Sequence, residues 1–479
     1  MNGVKEMKSE RPLVEALQQF VEKDPYSLHV PGHKNGLLST LPKEMKKALL
    51  YDVTELSGLD DFHHPEGVID EAQKLLAETY AADRSFFLVN GSTVGNLAMI
   101  YAVCKPGDTI LVQRNAHKSV FHAIELVGAK PVYLAPKWDE HTRSAGAVPF
   151  EAVKEALARH PEAKALVLTY PTYYGVVSKD LKAQIEICHE KQIPVLVDEA
   201  HGAHFTASKR FPVSALDLGA DIVVQSAHKT LPAMTMASFM HIKSTLVSDL
   251  KVNHYLRMLQ SSSPSYLLLA SLDDARHYIS KYKESDAVYC LEKRNHWVEA
   301  LSSIPELDII EADDPLKVCI RVSGYTGMEI KMAMEENLLY PELADAEQVL
   351  LVLPLLKHGE VYPYADVRMR MKNTVALLKM KKGSKHPQMG KQYEMVSIIT
   401  PDLTFSEIEA REKEWIPYMR AIDRIAAGML IPYPPGIPLF VPGEKITVAK
   451  LSQLEELLAV GATFQGDHRL EERLIQVIK

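Results

Sequence analysis

The sequence contains few cysteines, and their spacing excludes the sites that depend on cysteine pairs. Its 479 residues include only Cys104, Cys188, Cys290 and Cys319, none of them in a Cys-x-x-Cys arrangement. Scattered cysteines in a chain of this length are typical of reduced thiols in a cytoplasmic protein. The sequence therefore predicts a cytoplasmic location and neither a disulfide framework nor a zinc ribbon.

Long apolar runs and an excess of basic residues are also missing. No run approaches the roughly 20 apolar residues that a membrane-spanning helix needs, and the opening segment MNGVKEMKSERPLVEALQQF lacks the apolar region of a secretory signal. The formal net charge is -8, whereas nucleic-acid-binding domains carry a basic face or stripe. We expect neither a membrane nor a nucleic-acid partner. The spacing of Leu13, Leu17 and Phe20 predicts a short amphipathic helix instead.

Apolar runs alternate with helical patterns between about residues 85 and 245. The runs SFFLVN, TILVQR, PVYLAP, ALVLTYP, IPVLVDEA and ADIVVQS are apolar over most of their length. Such runs are expected of strands that helices cover on both faces. This pattern predicts an α/β fold around a mainly parallel central sheet.

The pattern changes after about residue 300. The segments LDIIEADDPLKVCIRV and VLLVLPLLK predict strands of a second sheet, and residues 406–427 have a long helical pattern. PYPPGIPLFVPGE is too rich in proline for a helix or an inner strand. The predicted organisation is an N-terminal arm (1–25), a large domain (26–300) and a smaller α+β C-terminal domain (301–479).

Polar residues follow five of the apolar runs directly. Ligands in parallel α/β sheets bind at the carboxyl ends of the strands, so we expect these residues to form a single site. The five segments are Asn90–Thr93, Asn115–His117, Tyr170–Thr172, Asp198–His201 and Ser226–Lys229.

A lysine at the end of a buried strand predicts amine chemistry. Burial lowers the pKa of an uncompensated lysine, and the neutral amine of Lys229 would then be a nucleophile. One use of such an amine is a Schiff base with pyridoxal phosphate, which needs an acid at its pyridine nitrogen, an anion cradle and a wall for its ring. Asp198 suits the first role and His117 the last. The cradle is predicted from the start of a helix, with contacts from Ser92, Thr93, Ser226 and His228.

Each residue alone has a simpler interpretation. Lys229 could be a solvent-facing charge, Asp198 a helix cap, and Ser92-Thr93 an ordinary strand-to-helix turn. A zinc site is a further alternative, because His201 and His204 form an HxxH motif near Asp198. Zinc-binding helices usually space their histidines four apart and add a glutamate base. We therefore expect His204 to be structural, and we expect no metal.

The sequence resembles the Orn/Lys/Arg decarboxylase family of fold-type I pyridoxal-phosphate enzymes, in a short form similar to Bacillus-type arginine decarboxylases. The likeness runs through nearly the whole chain in order. It is carried by LHVPGHKNG, DVTELSGLDDFHHPEGVIDEAQ, FFLVNGSTVGNLAMI, QRNAHKSV, VLVDEAHGAHF, SAHKTLPAM, QSSSPSYLLLASLD and PYPPGIPLFVPGE.

The resemblance implies a role for each candidate residue. Lys229 would carry the cofactor, Asp198 would pair with its pyridine nitrogen, and His117 would stack on its ring. Lys229 or His228 would return a proton to the substrate Cα. Contacts to the cofactor are implied for Ser92, Thr93, Ala200, His201, Ser226 and His228. Ser262 and Ser263 are similar to a segment that reaches the neighbouring subunit's cofactor, which implies a homodimer or a higher even oligomer.

The implied reaction is decarboxylation of a basic amino acid. Arginine, giving agmatine and CO2, comes first, with lysine and ornithine next, and the implied pathway is polyamine synthesis. A long cationic side chain must meet an acidic group, or its desolvation is uncompensated. The candidates are Glu444, Asp60 and Asp61.

Two alternatives remain open from the sequence. Another fold-type I enzyme, such as an aminotransferase, would usually have a late arginine that holds a substrate carboxylate, and Arg368 and Arg370 are available. The second alternative is a catalytically silent regulatory homologue. The intact Lys229 and Asp198 argue against it.

Overall fold

The computed structural model describes residues 9–381, 397–432, 437–459 and 461–479. Its helices are α1 (Pro12–Glu22), α2 (Lys43–Ala48), α3 (Val68–Tyr80), α4 (Gly91–Val103), α5 (Lys118–Val127), α6 (Phe150–Arg159), α7 (Leu181–His189), α8 (Ala227–Thr230), α9 (Asp249–Leu259), α10 (Tyr266–Ser280), α11 (Glu284–Ser302), α12 (Gly327–Glu336), α13 (Tyr364–Met380), α14 (Phe405–Glu409) and α15 (Val448–Ala459). Among these helices, none combines the length and the apolar character needed to cross a bilayer.

The strands include one for each of the six apolar runs predicted between residues 85 and 245. They are β1 (Arg84–Leu88), β2 (Thr109–Gln113), β3 (Lys130–Leu134), β4 (Trp138–Asp139), β5 (Ser144–Ala145), β6 (Leu166–Thr169), β7 (Val195–Asp198), β8 (Ile222–Gln225), β9 (Ser238–Ile242), β10 (Leu307–Glu311), β11 (Lys317–Val322), β12 (Leu343–Ala344), β13 (Val349–Val352), β14 (Ile398–Ile399), β15 (Lys413–Pro417), β16 (Leu430–Pro432), β17 (Phe464–Gly466), β18 (His468–Arg469) and β19 (Leu474–Ile478).

The central sheet has eight strands in the order β1-β9-β8-β7-β6-β2-β3-β14. The five strands from β8 to β3 are parallel to one another, whereas β9 and β14 are antiparallel to their neighbours. β1 is antiparallel to β9, so it points the same way as the parallel set. The predicted α/β class with a mainly parallel sheet is confirmed.

Helix α4 packs unusually close to the middle of this sheet. A Cβ atom at Gly95 would lie 2.7 Å from Cγ1 of Val224 and 2.8 Å from Cδ1 of Leu88. Any side chain at this position would push the helix away from β8, because interiors are too densely packed to absorb it. The glycine therefore sets how near the polar face of α4 comes to the ends of the central strands.

The predicted N-terminal helix is present as α1. Leu13 and Leu17 are buried, and the helix packs against α10, where the carboxylate of Asp273 accepts hydrogen bonds from the backbone of Leu13 and Val14. These bonds satisfy donors that have no partner inside the helix. Amphipathic spacing was sufficient to find this element.

The residues after 300 form smaller antiparallel sheets. One has the order β10-β11-β13-β12 and another the order β15-β19-β18, while β14 extends the central sheet by pairing with β3. The predicted second sheet is thus present. The boundaries at residues 25 and 300 stay predictions.

The long helix predicted over residues 406–427 is wrong. Helix α14 ends at Glu409, and β15 then pairs with β19 through Pro417. Proline lacks the N–H that a helix interior needs, whereas an edge strand tolerates it. β15 is such an edge strand, so the partner strand decided the structure of a segment whose apolar spacing alone indicated a helix.

Candidate active site

The five polar segments predicted to form one site all begin at the carboxyl ends of strands that point the same way. They follow β1, β2, β6, β7 and β8, and these strands share one sheet. Parallel alignment brings their ends to the same edge. The side chains described below lie along this edge.

Lys229 lies in the short helix α8, directly after β8. Its Nζ is 3.0 Å from Nε2 of His201, which follows β7, and 5.1 Å from the centre of the Tyr173 ring, which follows β6. Burial lowers the pKa of Lys229 to about 8, although the charge of Asp198 opposes the shift. An amine with this pKa is available in part as the neutral nucleophile near neutral pH.

Asp198 is the last residue of β7 and is buried. Oδ2 accepts a hydrogen bond from Nδ2 of Asn96 at 2.9 Å, and Oδ1 accepts one from the backbone of Ala200 at 3.2 Å. Burial raises the pKa of Asp198, and the charge of Lys229 and the bond from Asn96 oppose this effect. The site therefore has a desolvated carboxylate that a cation would stabilise.

His117 is joined to Asp198 by a chain of hydrogen bonds. Nδ2 of Asn96 donates to Oγ of Ser119 at 2.9 Å, and this hydroxyl lies 2.9 Å from Nδ1 of His117. Nδ1 also accepts from the backbone N–H of Ser119, so His117 caps α5. Burial lowers the pKa of His117 to about 4, with a further contribution from the charge of Lys229. The ring is therefore neutral at neutral pH.

Two hydroxyl groups meet at the start of α4. Oγ of Ser226 lies 2.9 Å from Oγ of Ser92, and Gly91 begins the helix with a positive φ of 76°. The first N–H groups of a thirteen-residue helix and these hydroxyls suit an anion such as a phosphate. Thr93 is exposed at the same turn. Oγ1 of Thr230 is buried and has no hydrogen-bond partner among the described residues.

His228 is held by the backbone that follows it. Its Nδ1 is 3.0 Å from the carbonyl oxygen of Ala237, and burial lowers the pKa of His228. Because a carbonyl only accepts, Nδ1 carries the proton, which leaves Nε2 as the atom that can contact other groups.

These residues fit pyridoxal phosphate. The cofactor needs an amine, a carboxylate for its pyridine nitrogen and an anion cradle. Lys229 has the lowered pKa, Asp198 is a buried carboxylate whose partners are neutral donors, and Ser92 and Ser226 lie at a helix start. All three features converge at one edge of the sheet.

Sequence reasoning missed Asn96, Ser119, Tyr173 and Lys317. Asn96 stands out as a buried amide in the otherwise apolar interior of α4, and Lys317 as a fully buried lysine in β11. A polar residue in an apolar element is a usable signal of a buried hydrogen bond. The sequence could not predict that Lys317 contacts His201, because these two residues are 116 positions apart.

The acids predicted to meet a substrate have partners within the chain. Glu444 is buried and its two carboxylate oxygens bind Arg114 at 2.8 and 2.7 Å, while Lys450 lies 2.6 Å from Oε2. Asp60 accepts backbone hydrogen bonds at the start of α3, and Asp61 accepts one from His63. The substrate role of these acids stays a prediction, and these contacts count against it.

Other sequence expectations concern residues around the site. Ser262 and Ser263 are exposed, and the neighbouring backbone N–H of Ser261 donates to Asn90 at the edge of the site. His204 is fully buried against Asp314, with 3.0 Å between Nε2 and Oδ1, as expected of a structural histidine. Within the described ranges there is no cluster of three metal-ligating side chains.

Comparison with known proteins identifies the family. Residues 11–319 match the major domain of the Orn/Lys/Arg decarboxylases, and residues 385–466 match their C-terminal domain. The chain belongs to the Orn/Lys/Arg decarboxylase family. The resemblance seen in the sequence motifs is thereby confirmed, and so are the cofactor, pyridoxal phosphate, and the class of enzyme, an amino-acid decarboxylase.

Relatives match over almost the whole chain. The uncharacterized protein YaaO of Bacillus subtilis (strain 168) is 44% identical, with 97% of this chain and 98% of that protein covered. An arginine decarboxylase of the same organism is 34% identical, with 98% of each chain covered. The solved structure of lysine decarboxylase A from Pseudomonas aeruginosa superposes with a TM-score of 0.79 at 21% identity, covering 98% of this chain and 80% of that one. The fold is that of fold-type I pyridoxal-phosphate enzymes.

Proposed function

We propose that the protein decarboxylates arginine to agmatine and CO2, with lysine and ornithine as the next candidates, and that this reaction supplies polyamine synthesis. The observation that carries the proposal is the partly buried Lys229 amine against His201, at the sheet edge that also holds buried Asp198. The full-length likeness to an arginine decarboxylase supports the choice of arginine.

The cofactor, when bound, accepts the electron pair that the Cα–carboxylate bond of the substrate releases. Asp198 would hold the proton on the pyridine nitrogen through its negative charge, and Asn96 keeps that carboxylate oriented. A preorganised charge of this kind is commonly worth several kcal/mol in an enzyme site. The neutral ring of His117 suits a stacking wall, because an uncharged imidazole lies flat on an aromatic ring without electrostatic cost.

Lys229 and His228 are the candidates for moving the proton that returns to Cα. With a pKa of about 8, the Lys229 amine can both take up and release a proton near neutral pH. Ser92, Thr93, Ser226 and His228 would hold the phosphate, and Ala200 and His201 would line the cofactor.

The aminotransferase alternative receives little support from the late arginines. Nε of Arg368 donates to the backbone of Ala300, and Nε of Arg370 donates to Asp366 at 2.8 Å on the same helix. Both guanidinium groups thus have structural partners.

A homodimer is part of the proposal. The segment after α1 exposes large apolar side chains: Tyr26 is 96% exposed, Leu28 95% and Leu37 80%. Large apolar side chains this exposed are expected where another protein surface covers them. Exposed Ser262 and Ser263 would reach the partner's cofactor.

Two experiments test the function. Borohydride reduction of the yellow holoenzyme followed by peptide mapping should place the cofactor on Lys229, and a different lysine would overturn the assignment. A screen of arginine, lysine and ornithine should release CO2 with agmatine, cadaverine or putrescine. Keto-acid formation, or turnover of a neutral amino acid alone, would overturn the decarboxylase proposal for basic substrates.

Shared sites are tested by subunit mixing. Inactive Lys229→Ala subunits mixed with an inactive Ser262→Ala/Ser263→Ala variant should regain part of the activity, because one kind of mixed site has both sets of residues intact. Mixed dimers are demonstrated by mass, and each variant is confirmed to be inactive alone. If activity is then not regained, the result would count against shared active sites.

A further inference from the structure

His201 lies between two lysines. Its Nε2 is 3.0 Å from Nζ of Lys229, and its Nδ1 is 2.9 Å from Nζ of Lys317. Lys317 begins β11 in the second sheet and is fully buried. Its aliphatic stem packs on Gly175, where a Cβ atom would lie 2.8 Å from Cγ of the lysine. The Lys317 amine is therefore held in place from outside the central sheet.

Proton counting constrains this arrangement. A neutral imidazole has one N–H donor and one acceptor nitrogen, and an ammonium group can only donate. Two charged lysines cannot both donate to one neutral ring, so one of the amines must be neutral and accept the imidazole proton. Burial, together with the charges of Lys229 and Lys317, lowers the pKa of His201 well below its ordinary value, so the ring itself is neutral.

The surroundings favour the charge on Lys317. Asp314 lies three residues earlier in the same turn. Its Oδ1 accepts a hydrogen bond from the backbone N–H of Leu316 and lies 3.0 Å from the ring Nε2 of His204. Burial alone would raise the pKa of Asp314, but His204 and Lys317 hold it below the ordinary value, so the carboxylate is ionised. Its Oδ2 is buried and has no hydrogen-bond partner within the described part of the chain.

Other charges also face the three groups. Burial lowers the pKa of Lys317, and Asp314 and Glu342 oppose this shift. For Lys229, burial lowers the pKa, Asp198 raises it, and the charge of Lys317 lowers it further. The titratable groups around the pair are Asp198, His117, His228, Asp314, Cys319 and Glu342.

We propose that Lys317 is a positioning residue for the reaction: its ammonium donates to Nδ1 of His201, fixes the proton on Nε2 and directs that N–H at the neutral amine of Lys229. This inference rests on the proposed role of Lys229 as the cofactor-bearing residue. Its consequence is that Lys229 is poised as a neutral nucleophile by a residue from the second sheet.

The first test measures how the Lys229 amine titrates. The full-length protein is freed of cofactor with hydroxylamine, and the rate at which it rebinds pyridoxal phosphate is followed by absorbance from pH 6 to 10. Lys317→Met removes the positive charge, so the pKa of Lys229 rises and the rate profile moves to higher pH. A shift of about one pKa unit would make rebinding at pH 7 roughly tenfold slower.

Arg294→Met is the matched control. Arg294 is also a buried cation beside β11, and its Nε donates to the carbonyl oxygen of Pro315, but its guanidinium has no contact with His201. This variant should lose stability and keep the wild-type rate profile. A folded Lys317→Met protein whose profile matches the wild type would overturn the proposal.

The second test does not depend on replacing Lys317. Long-range 15N NMR of histidine-labelled wild-type protein, with His201→Asn for assignment, should show His201 as the Nε2–H tautomer. The Nδ1–H tautomer or a doubly protonated ring would overturn the proposal even if Lys317→Met fails to fold. Failure of the proposed function can be distinguished from failure of this inference, since it would appear as a borohydride-reduced cofactor on a lysine other than Lys229.

Discussion

Two buried clusters of charged side chains in this protein are built from different components. The Arg114 cluster (Arg114, Glu444 and Lys450) surrounds one carboxylate with two cations at 2.6–2.8 Å. The Lys229 cluster (Lys229, His201 and Lys317) places two amines on one imidazole. Within the described ranges no carboxylate forms an ion pair with either of these lysines.

The difference separates a structural site from a reactive one. In the Arg114 cluster, opposite charges compensate each other, and Arg114 also donates to the backbone oxygen of Pro438 at 2.8 Å, which ties the end of β2 to the segment before α15. In the Lys229 cluster burial lowers the pKa of both lysines, and the charges of Asp198 and Asp314 oppose this effect only in part. Shifted pKa values of this kind are typical of functional sites.

The largest expected effect comes from removing the charge that faces the Lys229 cluster. Asp198→Ala should lower the decarboxylation rate constant by about 100- to 1,000-fold, because the cofactor loses its counter-charge. Asp221→Asn is the control, since Asp221 is a buried carboxylate at the opposite edge of the sheet, bonded to the backbone of Val195. Steady-state turnover per folded enzyme is measured for both variants. Near-normal turnover of Asp198→Ala would mean that Asp198 serves only as a helix cap and has no role in catalysis.

Breaking the Arg114 cluster should instead affect stability. Arg114→Met leaves Glu444 buried beside Lys450 alone, and removing one partner of a buried pair typically costs about 3–5 kcal/mol. The expected result in urea unfolding is a loss of this size, with turnover of the folded fraction close to wild type. Replacing all three members by methionine should recover most of the loss, because apolar replacement of a buried ion cluster is often neutral.

The same two clusters mark the limit of what the sequence predicts. Lys229 and Asp198 were predictable because Asp198 ends an apolar strand, Lys229 follows another, and strand ends share an edge in a parallel sheet. Lys317, which contacts the other nitrogen of His201, was not predictable. It comes from another sheet, and nothing in its local sequence points to His201.

Glu444 illustrates the opposite error. Its place after a proline-rich loop made it a reasonable acid for a cationic substrate, but a single sequence does not reveal that Arg114 lies against it. Residues 433–436 of that loop lie outside the described residues. Long-range ion pairs and the strand β15, which its partner β19 determines, are both set by tertiary contacts, so local patterns missed them.

Glu444→Gln decides between the two roles of this residue. A structural role predicts lower stability with KM unchanged for the preferred basic amino acid, because the carboxylate serves Arg114. Substrate binding predicts a rise in KM of about tenfold or more, equivalent to the loss of a charged hydrogen bond. KM and the midpoint of thermal unfolding are measured on the same preparation. Asp60→Asn and Asp61→Asn are measured in parallel, and an unchanged KM in all three variants would exclude the predicted acids.

The smallest expected effect is on the pH dependence of stability. The Arg114 cluster should make stability vary with pH in the acidic range, and the Lys229 cluster should make it vary in the alkaline range. Although burial opposes it, Arg114 and Lys450 lower the pKa of Glu444 to about 2 from 4.5. Its contribution to stability is therefore present above about pH 4.5 and is lost as the pH falls toward 2. The stability difference between wild type and Glu444→Gln should shrink over that acidic window.

Lys229 should make the stability of the protein vary with pH in the alkaline range. In the cofactor-free protein its pKa of about 8 lies below the ordinary 10.5, so the folded state disfavours the charged amine. Wild type should be less stable than Lys229→Met below pH 8, and this deficit should disappear as the pH rises from 8 to 10.5. Thermal unfolding of cofactor-free wild type and Lys229→Met across both windows measures the contrast. A deficit that stays constant from pH 8 to 10.5 would mean that the Lys229 amine is not desolvated, and the distinction between the clusters would fail.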